Sequence, residues 1–224
     1  LLRSYGVDAN IKIVPNGVDI NKFSPSKELF NREEIGLNPN DLVLIYVGRL
    51  SPEKSLTMML RAFAGAQSAI ENLKLIIVGE GSEFDNLRDW CDRVNITNLV
   101  RFTGKAAYNA VSGYLNMADA FITPSVSEVH PLSIIEGMAV GLPAIGIDSP
   151  GVGDIIEDGT NGMLCKNNIE DFTAKLVRLM LDKDFRNRLS KGAIETSKQY
   201  DINHTSSQLY NHYEKLVINK NRNA

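Results

Sequence analysis

Short apolar runs alternating with longer amphipathic stretches constrain this chain more than any other feature. Residues 42–47 (LVLIYV), 73–78 (LKLIIV), 99–102, 120–123 and 144–147 are rich in aliphatic side chains, and most stop at glycine or proline. Strands buried on both faces read this way, because no alternate set of positions meets water. Between them, residues 55–69, 83–94, 107–117 and 132–140 carry apolar residues at helical spacing. Strand and helix in alternation predict right-handed crossovers on a parallel sheet, that is, an α/β doubly wound fold.

With 224 residues, 43% of them hydrophobic, the chain can build one sizeable core. Past residue 147 the pattern loosens into turns, Gly151-Val152-Gly153-Asp154 and Asp158-Gly159-Thr160-Asn161-Gly162, followed by a short strand at 163–165. From Ile169 onward helices are expected, with Phe172, Leu176, Leu179 and Met180 on one stripe. A final helix is expected near 204–217, with 219–224 frayed. Residues 10–40 read as one strand and a linker. The division expected is thus a lead-in segment 1–40, a ligand-binding domain 41–200 and a C-terminal helix 201–224 able to dock elsewhere. The opening Leu1-Leu2-Arg3-Ser4-Tyr5-Gly6-Val7 reads like the tail of a helix, which predicts a fragment.

The net charge of −3 offers no global attraction to nucleic acid or to an anionic membrane. Cys91 and Cys165 are far apart and suggest neither a zinc site nor a disulfide framework, which points to a reducing, cytoplasmic setting. No apolar run is long enough to cross a membrane; peripheral contact at the inner face stays open.

A ligand of such a sheet binds beyond the carboxyl ends of its strands, so the residues just after each strand carry the chemistry. After the first comes Gly48-Arg49-Leu50-Ser51-Pro52-Glu53-Lys54. Arg49 can bridge two oxygens and Lys54 adds a point charge, which suits a diphosphate; the same residues also read as a solvated basic turn. Gly79 and Gly81 follow the second strand and read either as a tight turn or as a nucleotide wall. The full glycine fingerprint of a dinucleotide site is missing, which disfavours NAD.

The fourth strand is followed by Pro124–Pro143, PSVSEVHPLSIIEGMAVGLP. Pro131 is expected at the first helical position, with Gly141 and Pro143 ending the helix. The helix start at Pro131 and Leu132 offers free N–H groups to a phosphate. Glu128, in the loop, could accept bonds from sugar hydroxyls, and Glu136, one turn into the helix, could take both ribose hydroxyls. Its neighbours Ile134, Ile135, Met138 and Ala139 predict partial burial rather than an exposed carboxylate.

Two glutamates eight apart, in Ser-x-x-Glu-x7-Glu-Gly-Met-Ala-x-Gly-Leu-Pro, resemble the signature of the group 1 family (family 4) of retaining GT-B glycosyltransferases. VPNGVD with Phe23, VGRL with Lys54, VGEG, VRFTG and ADA follow in the family's order, over residues 13–164. The resemblance implies a Rossmann-like domain with C-terminal helices, one half of a GT-B fold. It implies that Arg49 and Lys54 hold the donor diphosphate, Glu128 the transferred sugar, Glu136 the ribose, and the backbone at Gly104 and Lys105 the base. The implied donor is a UDP- or GDP-sugar, with no cofactor and no metal. The implied acceptor is a saccharide or lipid, bound largely by the chain's own N-terminal domain. Two departures bear on sugar identity: Glu128-Val129-His130-Pro131 lacks the usual aromatic, and Gly151-Val152-Gly153-Asp154 replaces a Gly-Gly-x-x-Glu turn. His130 either touches sugar or phosphate or packs in place of the aromatic. A non-catalytic sugar-nucleotide sensor of the same fold and an inverting enzyme or epimerase are the competing readings.

Overall fold

The computed structural model describes residues 2–9, 11–26 and 31–222, with side chains to residue 218. Six strands, β1 (Leu42–Val47), β2 (Leu73–Val78), β3 (Val100–Gly104), β4 (Ala120–Thr123), β5 (Ala144–Ile147) and β6 (Gly162–Cys165), form one sheet in the order β3-β2-β1-β4-β5-β6. Every pairing is parallel. The helices are α1 (Leu56–Gln67), α2 (Phe84–Arg93), α3 (Tyr108–Asn116), α4 (Leu132–Ala139), α5 (Ile169–Leu181), α6 (Lys183–Ser197) and α7 (Ile202–Arg222). The doubly wound parallel sheet with C-terminal helices is therefore the fold. The short strand expected at 163–165 proves to be its sixth member, added beside β5.

Alternate strand residues feed two core layers, as a two-residue period requires. Leu44, Leu75 and Ile77 face α1, α2 and α5, where Phe63 and Phe172 are buried; Val43, Ile45 and Ile76 face α3 and α4, where Ile135 and Met138 are. Both cysteines lie buried as free thiols, pushed up to about 11 for Cys91 and about 12 for Cys165 mainly by burial.

The lead-in segment is part of this second layer. Val18 and Phe23 are buried in it. Val18 N–H donates to the Tyr200 carbonyl at 2.8 Å and its carbonyl accepts from Ile202 N–H at 3.0 Å. Arg32 Nε donates to the Met117 carbonyl at 2.9 Å, and its guanidinium lies 3.4 Å from Asp119. Arg101 Nε donates to the Ile35 carbonyl at 2.9 Å.

Some boundaries differ from expectation. Among the described residues of 10–40 no strand forms beyond the isolated bridge at Val18: the apolar run ends at Pro15 without a sheet edge to pair with, and Ile13 is left exposed. Residues 3–5 form a single 3-10 turn closed by Gly6 rather than the end of an α-helix. Pro131 stands at the N-cap, one position before the helix it was expected to begin. The last helix continues to Arg222, past the point where fraying was expected, while 223 and 224 lie outside the described residues.

Candidate functional site

Strand order reverses its direction of travel between β1 and β4, and the crevice at such a switch point is where doubly wound sheets bind ligands. A cleft of about 180 Å³ opens there. The end of β1 supplies Tyr46, Gly48 and Arg49, the next turn Lys54, the end of β4 and its loop Thr123 and Glu128, and the start of α4 Pro131 and Ser133. Four of the residues expected to hold phosphate or sugar, Arg49, Lys54, Glu128 and Pro131, thus converge, although far apart in sequence. Larger hollows lie elsewhere on the surface but lack this convergence.

Within the cleft Lys54 Nζ donates to Glu128 Oε1 at 2.5 Å, with side chains only 17% and 18% exposed. Glu128 is supported from behind. Ser149 Oγ donates to the Ser125 carbonyl at 3.2 Å, and a β-carbon at Gly151 would stand 2.4 Å from the Glu128 carbonyl oxygen. Gly151 also has φ of 79°, so the turn that departs from the usual family pattern is the one whose close approach seats the Glu128 loop. Beneath the cleft the Tyr46 phenol is pushed well above its ordinary range, by burial first and then by the Glu128 carboxylate.

Glu136 is buried, as its apolar neighbours predicted, one turn along α4 from Ser133. Burial raises its pKa, against the Tyr108 hydroxyl that hydrogen-bonds it and the nearby Lys22 ammonium. Lys22 Nζ also sits 3.8 Å over the Tyr108 ring.

The other expected residues lie outside the cleft lining. A β-carbon at Gly79 would meet the Gly48 carbonyl oxygen at 1.9 Å, and one at Gly81 the Leu50 carbonyl oxygen at 2.1 Å. These glycines let the loops after β1 and β2 pair, through Gly48 N–H to the Val78 carbonyl at 3.0 Å and Leu50 N–H to the Glu80 carbonyl at 2.9 Å. Gly104 ends β3 with φ of 71° and accepts from Gly79 N–H at 2.9 Å. Lys105 is exposed and pairs with Glu80 at 3.4 Å, a solvated contact of little energetic weight. Leu132 is half-buried against the core under α4. His130 lines a separate hollow beside Asp154 and His204, stacked edge-on to Tyr200 at 5.5 Å between centroids, with both ring nitrogens shielded and without a hydrogen-bond partner among the described residues.

Sequence reasoning missed Tyr46, Thr123, Ser133, Tyr108 and Lys22. Tyr46 sat inside an apolar strand and read as core; the signal that could have found it is its place two residues before the glycine that turns the chain into the site. Among the described residues no group of three or more His, Cys, Asp or Glu could hold a metal ion, and no helix is long and apolar enough to cross a membrane.

Residues 27–196 match the family Glycosyl transferases group 1, and the chain belongs to that family. It is 30% identical to the alpha-monoglucosyldiacylglycerol synthase of Streptococcus pneumoniae over 73% of this chain and 38% of that protein. It is 29% identical to the D-inositol 3-phosphate glycosyltransferase of Rhodococcus jostii over 99% of this chain and 51% of that protein. Among solved structures, Anabaena HepE in complex with UDP and glucose superposes with a TM-score of 0.83 at 23% identity, over 91% of this chain and 57% of that one. Sucrose-phosphate synthase from Thermosynechococcus elongatus gives 0.84 at 22%, over 97% of this chain and 55% of that one. These likenesses establish the half-GT-B fold. The chain spans about half or less of the curated relatives it matches.

Proposed function

We propose that this chain is the donor-binding domain of a retaining, metal-independent hexosyltransferase of family 4, taking a UDP- or GDP-hexose. The observation that carries the reading is the convergence of Arg49, Lys54, Glu128 and the N-terminus of α4 on one cleft at the switch point. A diphosphate there meets two cations and the free N–H groups of a helix start, and Glu128 stands beside it for sugar hydroxyls. Glu136 would take the ribose, with the base toward Gly104 and Lys105. Relatives support the donor class: HepE is described with UDP and UDP-glucose.

In the reaction an acceptor hydroxyl oxygen bonds the anomeric carbon on the face from which the diphosphate leaves. The sugar–phosphate bond breaks with its electron pair going to the phosphate oxygen, which also takes the hydroxyl proton. Charge gathers on the departing diphosphate, where Arg49, Lys54 and the α4 dipole stabilise it without reorganising. The acceptor is a saccharide or lipid, held largely by an N-terminal half against which α7 docks through exposed Leu209, Tyr213, Leu216 and Val217, in a cytoplasmic setting with peripheral membrane contact on that half.

Calorimetric titration with UDP, GDP and ADP, each free and carrying glucose or mannose, in EDTA, tests this. Selective metal-free binding of one base is expected; no preference for any diphosphate over its nucleoside would remove the reading.

A further inference from the structure

Arg49 is exposed, and no ion pair joins its guanidinium to another described residue. Where its side chain starts from is set by its backbone. That backbone is held on one side by the bonds from Gly48 N–H and Leu50 N–H to the Val78 and Glu80 carbonyls, an approach for which Gly79 and Gly81 leave room. On the other side it is held by a bond only a tyrosine supplies: Tyr46 Oη–H donates to the Arg49 carbonyl at 3.0 Å. The Tyr46 residue is only 3% exposed, its ring fixed in the core among Leu44, Leu56 and Leu75. Its hydroxyl passes so close to Gly48 that a β-carbon there would stand 2.6 Å from it. Tyr46 and Gly48 are thus one device: the glycine leaves the room through which the phenol reaches the third residue beyond it.

We propose that Tyr46 is a positioning residue for the donor diphosphate, holding the turn 48–50 through the Arg49 carbonyl so that the Arg49 guanidinium is presented to the cleft. The inference rests on the donor-site reading above. Tyr46 acts through Arg49, and without its bond the turn keeps only its anchors toward β2, so Arg49 samples directions away from the phosphate.

Tyr46→Phe keeps the buried ring and removes this bond alone. The wild-type chain, Tyr46→Phe, Arg49→Ala and the double variant would be titrated with the best-binding of UDP, GDP and ADP and with the matching monophosphate. In Tyr46→Phe, the dissociation constant for the diphosphate is expected to rise about three- to tenfold, as losing one hydrogen bond implies, and that for the monophosphate to hold. In the Arg49→Ala background, Tyr46→Phe is expected to add nothing, because its effect passes through the missing side chain. Equal losses for both ligands, no loss, or an additive loss in the double variant would each overturn the proposal. A wild-type chain that does not distinguish diphosphate from monophosphate defeats the donor-site reading and this inference with it. A wild-type chain that does, beside an indifferent Tyr46→Phe, defeats the inference alone.

Discussion

Lys54 and Glu128 were each expected to grip a different part of the donor, and they lie 2.5 Å from each other while largely shielded from water. Ions taken out of water are costly unless partnered, so each serves as the other's partner. On the proposed reading, a diphosphate competes with Glu128 for Lys54, and a sugar satisfies the carboxylate. Replacing Glu128 by Gln frees Lys54 from that competition. The variant is expected to bind the nucleoside diphosphate at least as tightly as wild type while binding the nucleotide sugar several-fold more weakly; parallel titrations check the divergence. Glu136 gives a second prediction at this scale. Its carboxyl holds a proton more tightly folded than unfolded, because burial outweighs Tyr108 and Lys22. Such a group costs nothing where both states are protonated, and lowers stability as pH rises from the ordinary carboxylate range through the raised folded value. Glu136→Gln is therefore expected to melt above wild type near neutral pH, with the gap closing as pH falls toward about 4. Melting curves across that range would show it.

Among elements, what could be read from sequence is what depends on periodicity. β1, β2, β4 and β5 fall at the residues their apolar runs marked, and β6 fell where a short strand was expected, although its membership of the sheet depended on a pairing with β5 that no local pattern encodes. Residues 11–14 show the converse: an apolar run without a neighbouring edge leaves Ile13 exposed and forms no strand. In the site, strand-end position was enough to single out Gly48, Arg49, Lys54, Glu128 and Pro131, because a parallel sheet brings its carboxyl ends together whatever lies between. It did not foretell that Gly79 and Gly81 stand where two loops touch, nor that the His130 ring meets Tyr200. Those outcomes depend on where a backbone passes or a ring points, and single-residue chemistry does not specify either.

For the whole molecule, the lead-in segment is no loose tether. Phe23 is fully buried in the layer that contains α4, and Val18 and Leu37 join it there. Phe23→Ala is expected to destabilise the domain by about 3–5 kcal/mol, with one unfolding transition in urea rather than two. A second, earlier transition assigned to residues 18–41 would show instead that the segment unfolds independently.

Val18 and the Tyr200–Ile202 stretch lie side by side, joined by two backbone hydrogen bonds. In a parallel pair, tension applied between the first and last described residues loads this contact in shear, straining both bonds at once.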